Sequence, residues 1–200
     1  YIHGALCHSQ SIDGYFMHLP GIYIAYPSCA SDAKGLLKMA CRMNDPVLFM
    51  EHKGLYRQGY AATEEPDSDY ILPFGKGKYV AKGDELTVIT WGAMVQKTVE
   101  AIQLLNLPNN IVDIIDLRTL NPIDMDIIES SVKKTSKVLV VHEDNMTNGP
   151  GAEISALIVD KYFQLLDAPV RRVAAKDSPV PFNWILEEKV LPQSQEIADV

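Results

Sequence analysis

Short apolar runs alternate along this chain with longer segments in which apolar residues recur at helical spacing. The apolar runs show little alternation with polar residues, which is typical of strands that helices cover on both faces. Strands are predicted over residues 22–26, 47–50, 86–91, 111–115, 138–141 and 170–174. Helices are predicted to begin at Ser11 and Ser31, and to span 93–105, 125–135 and 153–166. Strands and helices in this order predict an α/β fold built on parallel sheets.

The helix boundaries lead to predictions about individual side chains. Ser11 has the chemistry of an N-cap residue and would start a short helix. The apolar face of that helix would consist of Ile12, Tyr15 and Phe16. The helix over 93–105 would bury Val95, Val99, Ile102 and Leu105.

A loop divides the pattern into two parts. Residues 59–69 lack the periodicity of a helix or a strand and include the acidic run Glu64-Glu65-Pro66-Asp67-Ser68-Asp69, which is typical of a solvated linker. We therefore predict a first domain over residues 1–60, a linker over 61–75 and a second domain over 76–200.

Composition and charge argue against several classes of protein. The chain is 47% hydrophobic and 22% charged, which is ordinary for a globular protein and argues against disorder. Its net charge of -8 argues against a nucleic-acid partner, and nearly all of the acidic excess lies after Tyr60. Apolar runs all fall short of the roughly 18 residues that would suggest a membrane span. Cys7, Cys29 and Cys41 lack metal-ligand spacing, so we expect reduced thiols in or near the core of an intracellular protein.

The stretch His8-Ser9-Gln10-Ser11 is the most informative part of the chain. His8 comes directly before the helix predicted to begin at Ser11, so its imidazole would face the positive end of that helix. This field would disfavour the imidazolium and keep a neutral ring able to donate or accept a proton. A structural role, in which His8 satisfies a backbone group in a tight turn, is the alternative that the residues leave open.

Several short motifs occur in an order that resembles one protein family. They are His8-Ser9-Gln10-Ser11, Asp32-Ala33-Lys34, Asp45-Pro46, Leu55-Tyr56-Arg57, Asp116-Leu117-Arg118-Thr119-Leu120-Asn121-Pro122, His142-Glu143, Gly151-Ala152-Glu153-Ile154 and Pro179-Val180-Pro181. The chain resembles the beta subunit of the thiamine-diphosphate-dependent 2-oxoacid dehydrogenases, the decarboxylating component of the pyruvate and branched-chain 2-oxoacid dehydrogenase complexes. The resemblance implies the last part of a thiamine-pyrimidine-binding α/β domain, followed by a parallel-sheet domain of the transketolase carboxyl-terminal type.

The resemblance implies a catalytic role for His8. In the family, the histidine of His-Ser-Gln lies near the substrate or lipoyl group, where it can hydrogen-bond the 2-oxoacid carbonyl and help acyl transfer. Histidine meets the demand for an acid–base group that works near neutral pH. Structural roles are expected for His18 and His52, and an interface role for His142 and Glu143.

The resemblance also implies cofactors. Thiamine diphosphate and magnesium would be held mainly by segments outside this sequence, among them the alpha subunit. A potassium ion would be bound at the end of the second helix by Ala40, Cys41, Met43 and Asp45. Oxygen ligands suit such a hard cation. A helix end that is only capped before Pro46 is the alternative.

A glycine-rich turn, Asn148-Gly149-Pro150-Gly151, follows the strand predicted over 138–141. A turn of this kind at a helix start can bind an anion through its backbone N–H groups. It lacks the full spacing of a dinucleotide-binding motif. We therefore expect a strand-to-helix turn whose glycines allow unusual backbone angles.

The function implied by the resemblance is the oxidative decarboxylation of a 2-oxoacid with acyl transfer to lipoyl groups. The motifs around His8 and Leu55-Tyr56-Arg57 favour 2-oxoisovalerate over pyruvate. The partners would be an alpha subunit or fused alpha region, a second beta copy and the lipoyl acyltransferase. A bacterial cytoplasm is the favoured compartment, and the mitochondrial matrix is the alternative. The chain alone is expected to be inactive, and two alternatives stay open: an isolated dimerisation and docking module, and a transketolase-like transferase.

Overall fold

Two sheets and the helices around them make up the computed structural model, which describes residues 2–108 and 110–200. Tyr1, with which the first predicted domain begins, lies outside the described residues. The helices are Ala5–His8 (α1), Asp13–Met17 (α2), Ala30–Ala40 (α3), Met94–Leu105 (α4), Met125–Thr135 (α5), Pro150–Tyr162 (α6), Trp184–Val190 (α7) and Ser194–Ala198 (α8). The strands are Tyr23–Ala25 (β1), Val47–Phe49 (β2), Lys78–Ala81 (β3), Leu86–Thr90 (β4), Val112–Asp116 (β5), Thr119–Asn121 (β6), Val138–Asn145 (β7) and Arg171–Ala175 (β8).

The larger sheet has five strands in the order β3-β5-β4-β7-β8. Strands β5, β4, β7 and β8 run parallel, and β3 pairs antiparallel with β5 at the edge. Val88 of β4 lies opposite Ile114 of β5 on one side and Leu139 of β7 on the other. The predicted parallel sheet is confirmed, and the antiparallel edge strand β3 was not predicted.

Helices cover both faces of this sheet. Ile89 belongs to the main core cluster, with Ile128 of α5 and with residues of α6. Its neighbour Val88 belongs to a second core cluster, with Met94 of α4 and Ile197 of α8. Because successive side chains of a strand point to opposite faces, a wholly apolar strand is stable only between two helical layers.

The smaller sheet joins the two parts of the chain. Strand β1 pairs parallel with β2 and antiparallel with β6, which comes from the second part of the chain. Ile24 of β1 lies opposite Asn121 of β6 and belongs to the same core cluster as Ile89. The first part of the chain therefore shares a continuous core with the second.

The first predicted helix differs from the observed one. Ser11 is not the N-cap, because α2 begins at Asp13 and Ile12 takes the N-cap position. Ile12 and Tyr15 are 43% and 83% exposed, whereas Asp13 is buried. Phe16 does pack against the main core cluster. The buried side of α2 is thus set by a hydrogen bond that Asp13 makes, described below, and not by the apolar pattern.

The predicted buried face of the helix over 93–105 is wrong in part. Leu105, in the last turn of α4 before left-handed Asn106, is exposed, and the smaller Thr98 and Ala101 are buried in addition to Val95. Val99 and Ile102 are partly buried against the second core cluster, and Met94 belongs to it.

The cysteines are free thiols, but only one of them is partly buried. Cys7 in α1 and Cys41 at the end of α3 are exposed, contrary to the expected core positions, because both lie on short or terminal helical turns. Residues 62–65 and 67–69 are exposed, as expected for a solvated segment. None of the helices in the described ranges is long and apolar enough to cross a membrane.

Candidate functional site

The carboxyl end of β7 faces the first part of the chain. The carboxyl ends of parallel strands are where open α/β sheets place functional groups. Three successive residues there each bind a different residue of the first part. A carboxylate oxygen of Glu143 lies 2.7 Å from His52 Nε2, Asp144 Oδ2 accepts the backbone N–H of Gly14 at 2.8 Å, and Asn145 Oδ1 accepts from Gln10 Nε2 at 3.0 Å. We call Glu143, Asp144 and Asn145 the β7 platform.

His8 is the last residue of α1, and its side chain is exposed in this chain. The predicted helix start at Ser11 is wrong: His8 ends α1, and the next helix, α2, begins only at Asp13. Ser9 is buried, its hydroxyl accepts the backbone N–H of Gly4 at 2.8 Å, and its own N–H donates to Ala5 O at 3.0 Å. The backbone on both sides of the imidazole is hydrogen-bonded.

A small cavity of about 170 Å³ lies between the two parts of the chain. His8 and Gln10 line it from the first segment, and His52 and Glu143 line it as a buried pair. Sites that bind whole cofactors usually have volumes of about 300–1,000 Å³. The described residues therefore enclose a space that fits a small group or one end of a larger ligand.

Asp13 lies buried beneath the His8 segment. Trp91 Nε1 donates to Asp13 Oδ2 at 2.9 Å. Burial and, to a smaller extent, the nearby carboxylate of Asp144 raise the pKa of Asp13 to about 7, against the lowering effect of the Trp91 hydrogen bond. Near pH 7 this carboxyl is therefore divided between its neutral and charged forms.

His142 is fully buried next to the platform. Its ring stacks on Trp91 with centroids 5.6 Å apart and planes 4° apart. Burial and, to a smaller extent, the charge of Arg172 lower the pKa of His142 to about 4. His142 is therefore a neutral packing group at physiological pH, whereas its neighbour Glu143 faces the cavity. Glu143 contacts His52 of the first part of the chain, whereas His142 packs on Trp91 within the second part, so the interface role expected for both residues stays a prediction.

The glycine-rich turn packs against His142. A Cβ at Gly149 would lie 2.6 Å from His142 Cε1, and one at Gly151 would lie 2.5 Å from His142 Nε2. The positive φ of this turn, 58°, falls on Asn148. The glycines are thus required for close approach to a side chain, and the prediction that they supply unusual backbone angles was wrong.

The predicted cation turn lies at the end of α3. Backbone carbonyls of the last helical turn have no partner further along the helix, and the helix dipole makes this end attractive to a cation. The Ala40 carbonyl accepts the N–H of Met43 at 3.2 Å, which leaves one lone pair for a ligand. Cys41 and Asp45 are exposed. The turn fits a cation in kind, and its residues do not line the His8 cavity.

Among the described residues, no group of three or more His, Cys, Asp or Glu side chains is arranged to hold a metal ion.

The sequence pointed to His8 and Glu143, but it did not predict that His52 lines the same cavity. His52 is separated from Glu143 by 91 residues in sequence. Both residues come two positions after the end of a predicted strand, and that was the available signal.

Comparison with known families places the chain in a class. The model of the transketolase, C-terminal domain, matches residues 75–197, and the model of the transketolase, pyrimidine binding domain, matches residues 2–58. Because the first match covers more than half of the chain, the chain belongs to the transketolase C-terminal domain family. The predicted family resemblance and fold type are confirmed.

Relatives narrow the comparison. The chain is 43% identical over 188 residues to the 2-oxoisovalerate dehydrogenase subunit beta of Bacillus subtilis, covering 94% of the chain and 57% of that protein. It is 41% identical over 192 residues to the pyruvate dehydrogenase E1 component subunit beta of Porphyra purpurea, covering 96% of the chain and 57% of that protein. The chain spans about half the length of the curated relatives it matches.

A solved structure supports the fold. The split gene transketolase, inactive beta4 tetramer, matches with a TM-score of 0.73 and 22% identity, covering 93% of this chain and 58% of that one. At this identity the match concerns the fold alone.

Proposed function

We propose that this chain is the carboxyl-terminal part of the beta subunit in the decarboxylating component of a 2-oxoacid dehydrogenase complex. The identity to two such beta subunits over nearly the whole chain supports the proposal. The observation that carries it is the cavity that His8 lines together with the buried His52–Glu143 pair. An exposed imidazole beside a small polar cavity is the arrangement that an acid–base group requires.

In this function His8 handles a proton at the substrate. A ring nitrogen of His8 would donate a hydrogen bond to the carbonyl oxygen of the 2-oxoacid. In the later acyl transfer the lipoyl disulfide breaks, one sulfur takes the acyl group, and His8 would give a proton to the other sulfur. Bound thiamine diphosphate supplies the carbanion chemistry, and magnesium neutralises its diphosphate. This chain contributes one wall of the cavity and the placement of His8.

The substrate that we propose is 2-oxoisovalerate. Relatives described as acting on 2-oxoisovalerate and on pyruvate match the chain about equally well, so the preference follows from the motifs around His8 and Leu55-Tyr56-Arg57. Rates of decarboxylation of 2-oxoisovalerate and pyruvate by the assembled enzyme test it. A faster reaction with pyruvate would reverse the assignment.

The catalytic role of His8 is tested by His8→Ala in the assembled enzyme. We expect turnover with a lipoyl acceptor to fall by about 10²-fold, because that is the usual contribution of a lost acid–base group. His18→Ala is the matched control, since His18 is also exposed but lines a different surface. Calorimetry should show nearly unchanged cofactor binding in both variants. Full turnover in His8→Ala would refute the role.

The partners follow from the same proposal. They are an alpha subunit or fused alpha region, a second beta copy and the lipoyl acyltransferase.

Proteins described as mitochondrial occur among the relatives beside the bacterial one, and we favour a bacterial cytoplasm. A fractionated native host would locate the protein. An isolated docking module is the second candidate, and it would be favoured if His8→Ala altered nothing while partner binding persisted.

We also propose that the turn of Ala40, Cys41, Met43 and Asp45 binds potassium. Its support is the run of carbonyl oxygens at the negative end of α3. Replacing potassium by sodium should lower the thermal midpoint of the protein by a few degrees, and Asp45→Ala should abolish that difference. Equal midpoints in both salts would refute the site.

A further inference from the structure

The β7 platform is built to hold the segment that carries His8. We propose that Asn145 is a positioning residue for His8 and acts through Gln10. This inference rests on the proposed catalytic role of His8 and extends it to a residue of the second part of the chain. The two residues meet across 135 positions of sequence.

Gln10 is hydrogen-bonded at both ends of its side-chain amide. Its Nε2 donates to Asn145 Oδ1 at 3.0 Å, and its Oε1 accepts the backbone N–H of Val180 at 3.3 Å. Both partners belong to the second part of the chain. An amide held by a donor and an acceptor has one orientation, so the backbone two residues after His8 is held in one place.

Asn145 is itself fixed on the sheet. It is the last residue of β7, its register partner is Ala175 of β8, and its backbone N–H donates to Asp144 Oδ1 at 2.8 Å. Its Nδ2 donates to the Lys176 carbonyl at 3.3 Å. The Lys176 carbonyl can accept a hydrogen bond only from Nδ2 of the Asn145 side chain. Oδ1 of Asn145 is therefore the atom that accepts from Gln10.

His8 directly precedes two anchored residues. Ser9 is buried and bound to Gly4, and Gln10 is bound to the platform. The imidazole projects from this short stretch to the cavity wall. Misplacement of a catalytic group by about 1 Å can cost up to about 10²-fold in rate. A single hydrogen bond on the rigid sheet can therefore control the reaction without touching the substrate.

The test is a double-mutant cycle in the full-length protein within its native assembly. Asn145→Ala and Gln10→Ala should each lower kcat by about tenfold with little change in KM, because a positioning residue acts on the reacting group and not on substrate affinity. The double variant should be no slower than the slower single variant. Gln195→Ala is the control, since Gln195 is exposed and its side-chain amide donates to Asp199 at 2.8 Å at the end of α8.

Two further measurements separate this inference from the proposed function. In a His8→Ala background, Asn145→Ala should cause no additional loss of rate. Hydrogen exchange of residues 2–12 should rise in Asn145→Ala and stay unchanged in Gln195→Ala. An equal loss with and without His8, or unchanged exchange in Asn145→Ala, would overturn the positioning role. Full activity of His8→Ala together with raised exchange in Asn145→Ala would refute the catalytic role of His8 and keep the anchoring.

Discussion

Asp13 shows how strongly the environment of one residue departs from what its type suggests. It lies in the first turn of the short helix α2, yet its side chain is buried against Trp91. The proton is bound more tightly in the folded state, whose pKa is about 7, than in an unfolded chain with the ordinary value of 3.8. The contribution of this group to stability is therefore complete below about pH 4 and is lost as the pH rises through about 7.

Asp13→Asn should remove this dependence, because the amide mimics the neutral acid and can still accept from Trp91. Relative to the variant, the wild-type free energy of unfolding should fall by about 4 kcal/mol between pH 4 and pH 8. Urea unfolding over that range measures it. Asp160→Asn, at an exposed position of α6, is the control.

The difference between variant and wild type is the informative quantity. His142 has its pKa lowered to about 4, so its contribution is present above about pH 6.5 and is lost as the pH falls toward 4. That slope has the opposite sign to that of Asp13, and it cancels in the comparison. Parallel curves for wild type and Asp13→Asn would contradict the assignment of the raised pKa.

At the scale of elements, the start of α6 is set by how closely it approaches β7. Gly151 lies in the first turn of α6, directly against the buried ring of His142. A side chain there must displace either the ring stacked on Trp91 or the helix itself. The turn between β7 and α6 therefore determines how the β7 platform is presented to the first part of the chain.

Gly151→Ala should destabilise the fold by about 2 kcal/mol, because overpacking exceeds the gain in helix propensity of up to about 1 kcal/mol. Gly59→Ala is the matched control, since a Cβ at Gly59 would meet nothing within 4 Å. Chemical denaturation of both variants measures the effect. If Gly151→Ala were as stable as Gly59→Ala, the close approach would not be a constraint.

At the scale of the whole molecule, the surface combines a negative net charge with a region of exposed apolar side chains. The net charge is -8, and the region from Phe182 to Leu186 exposes large apolar side chains, with Phe182 at 73% and Trp184 at 54%. Apolar surface sustains lasting association, whereas exposed charge mainly speeds encounter. Both features suit a subunit that pairs and then binds a basic partner.

We expect the chain to sediment as a dimer at micromolar concentration and to bind a basic segment of the acyltransferase. The association rate with that segment should fall as salt is added, because salt screens long-range attraction. A segment with its basic residues replaced by serine is the control and should bind slowly at every salt concentration. A strict monomer would refute the pairing, and a salt-independent rate would refute the steering.

The sequence alone predicted the alternation of strands and helices, since each element is encoded by a local pattern. The runs at 86–91 and 138–141 reappear as β4 and the start of β7, and the helix over 125–135 is α5. Strands β3 and β6 were not predicted because their residues, which include Lys78, Thr119 and Asn121, do not form an apolar run. Their stability comes from pairing with β5 and β1.

The site was only partly encoded at the local level. His8 was singled out from its motif. The contacts of His52 with Glu143 and of Gln10 with Asn145 form only when the two parts of the chain pack together. Residues separated by about a hundred positions meet only after the strand order, the register and the shared core are set. Local periodicity determines which segments become strands, whereas the direction and partner of each side chain at the strand ends depend on that tertiary packing.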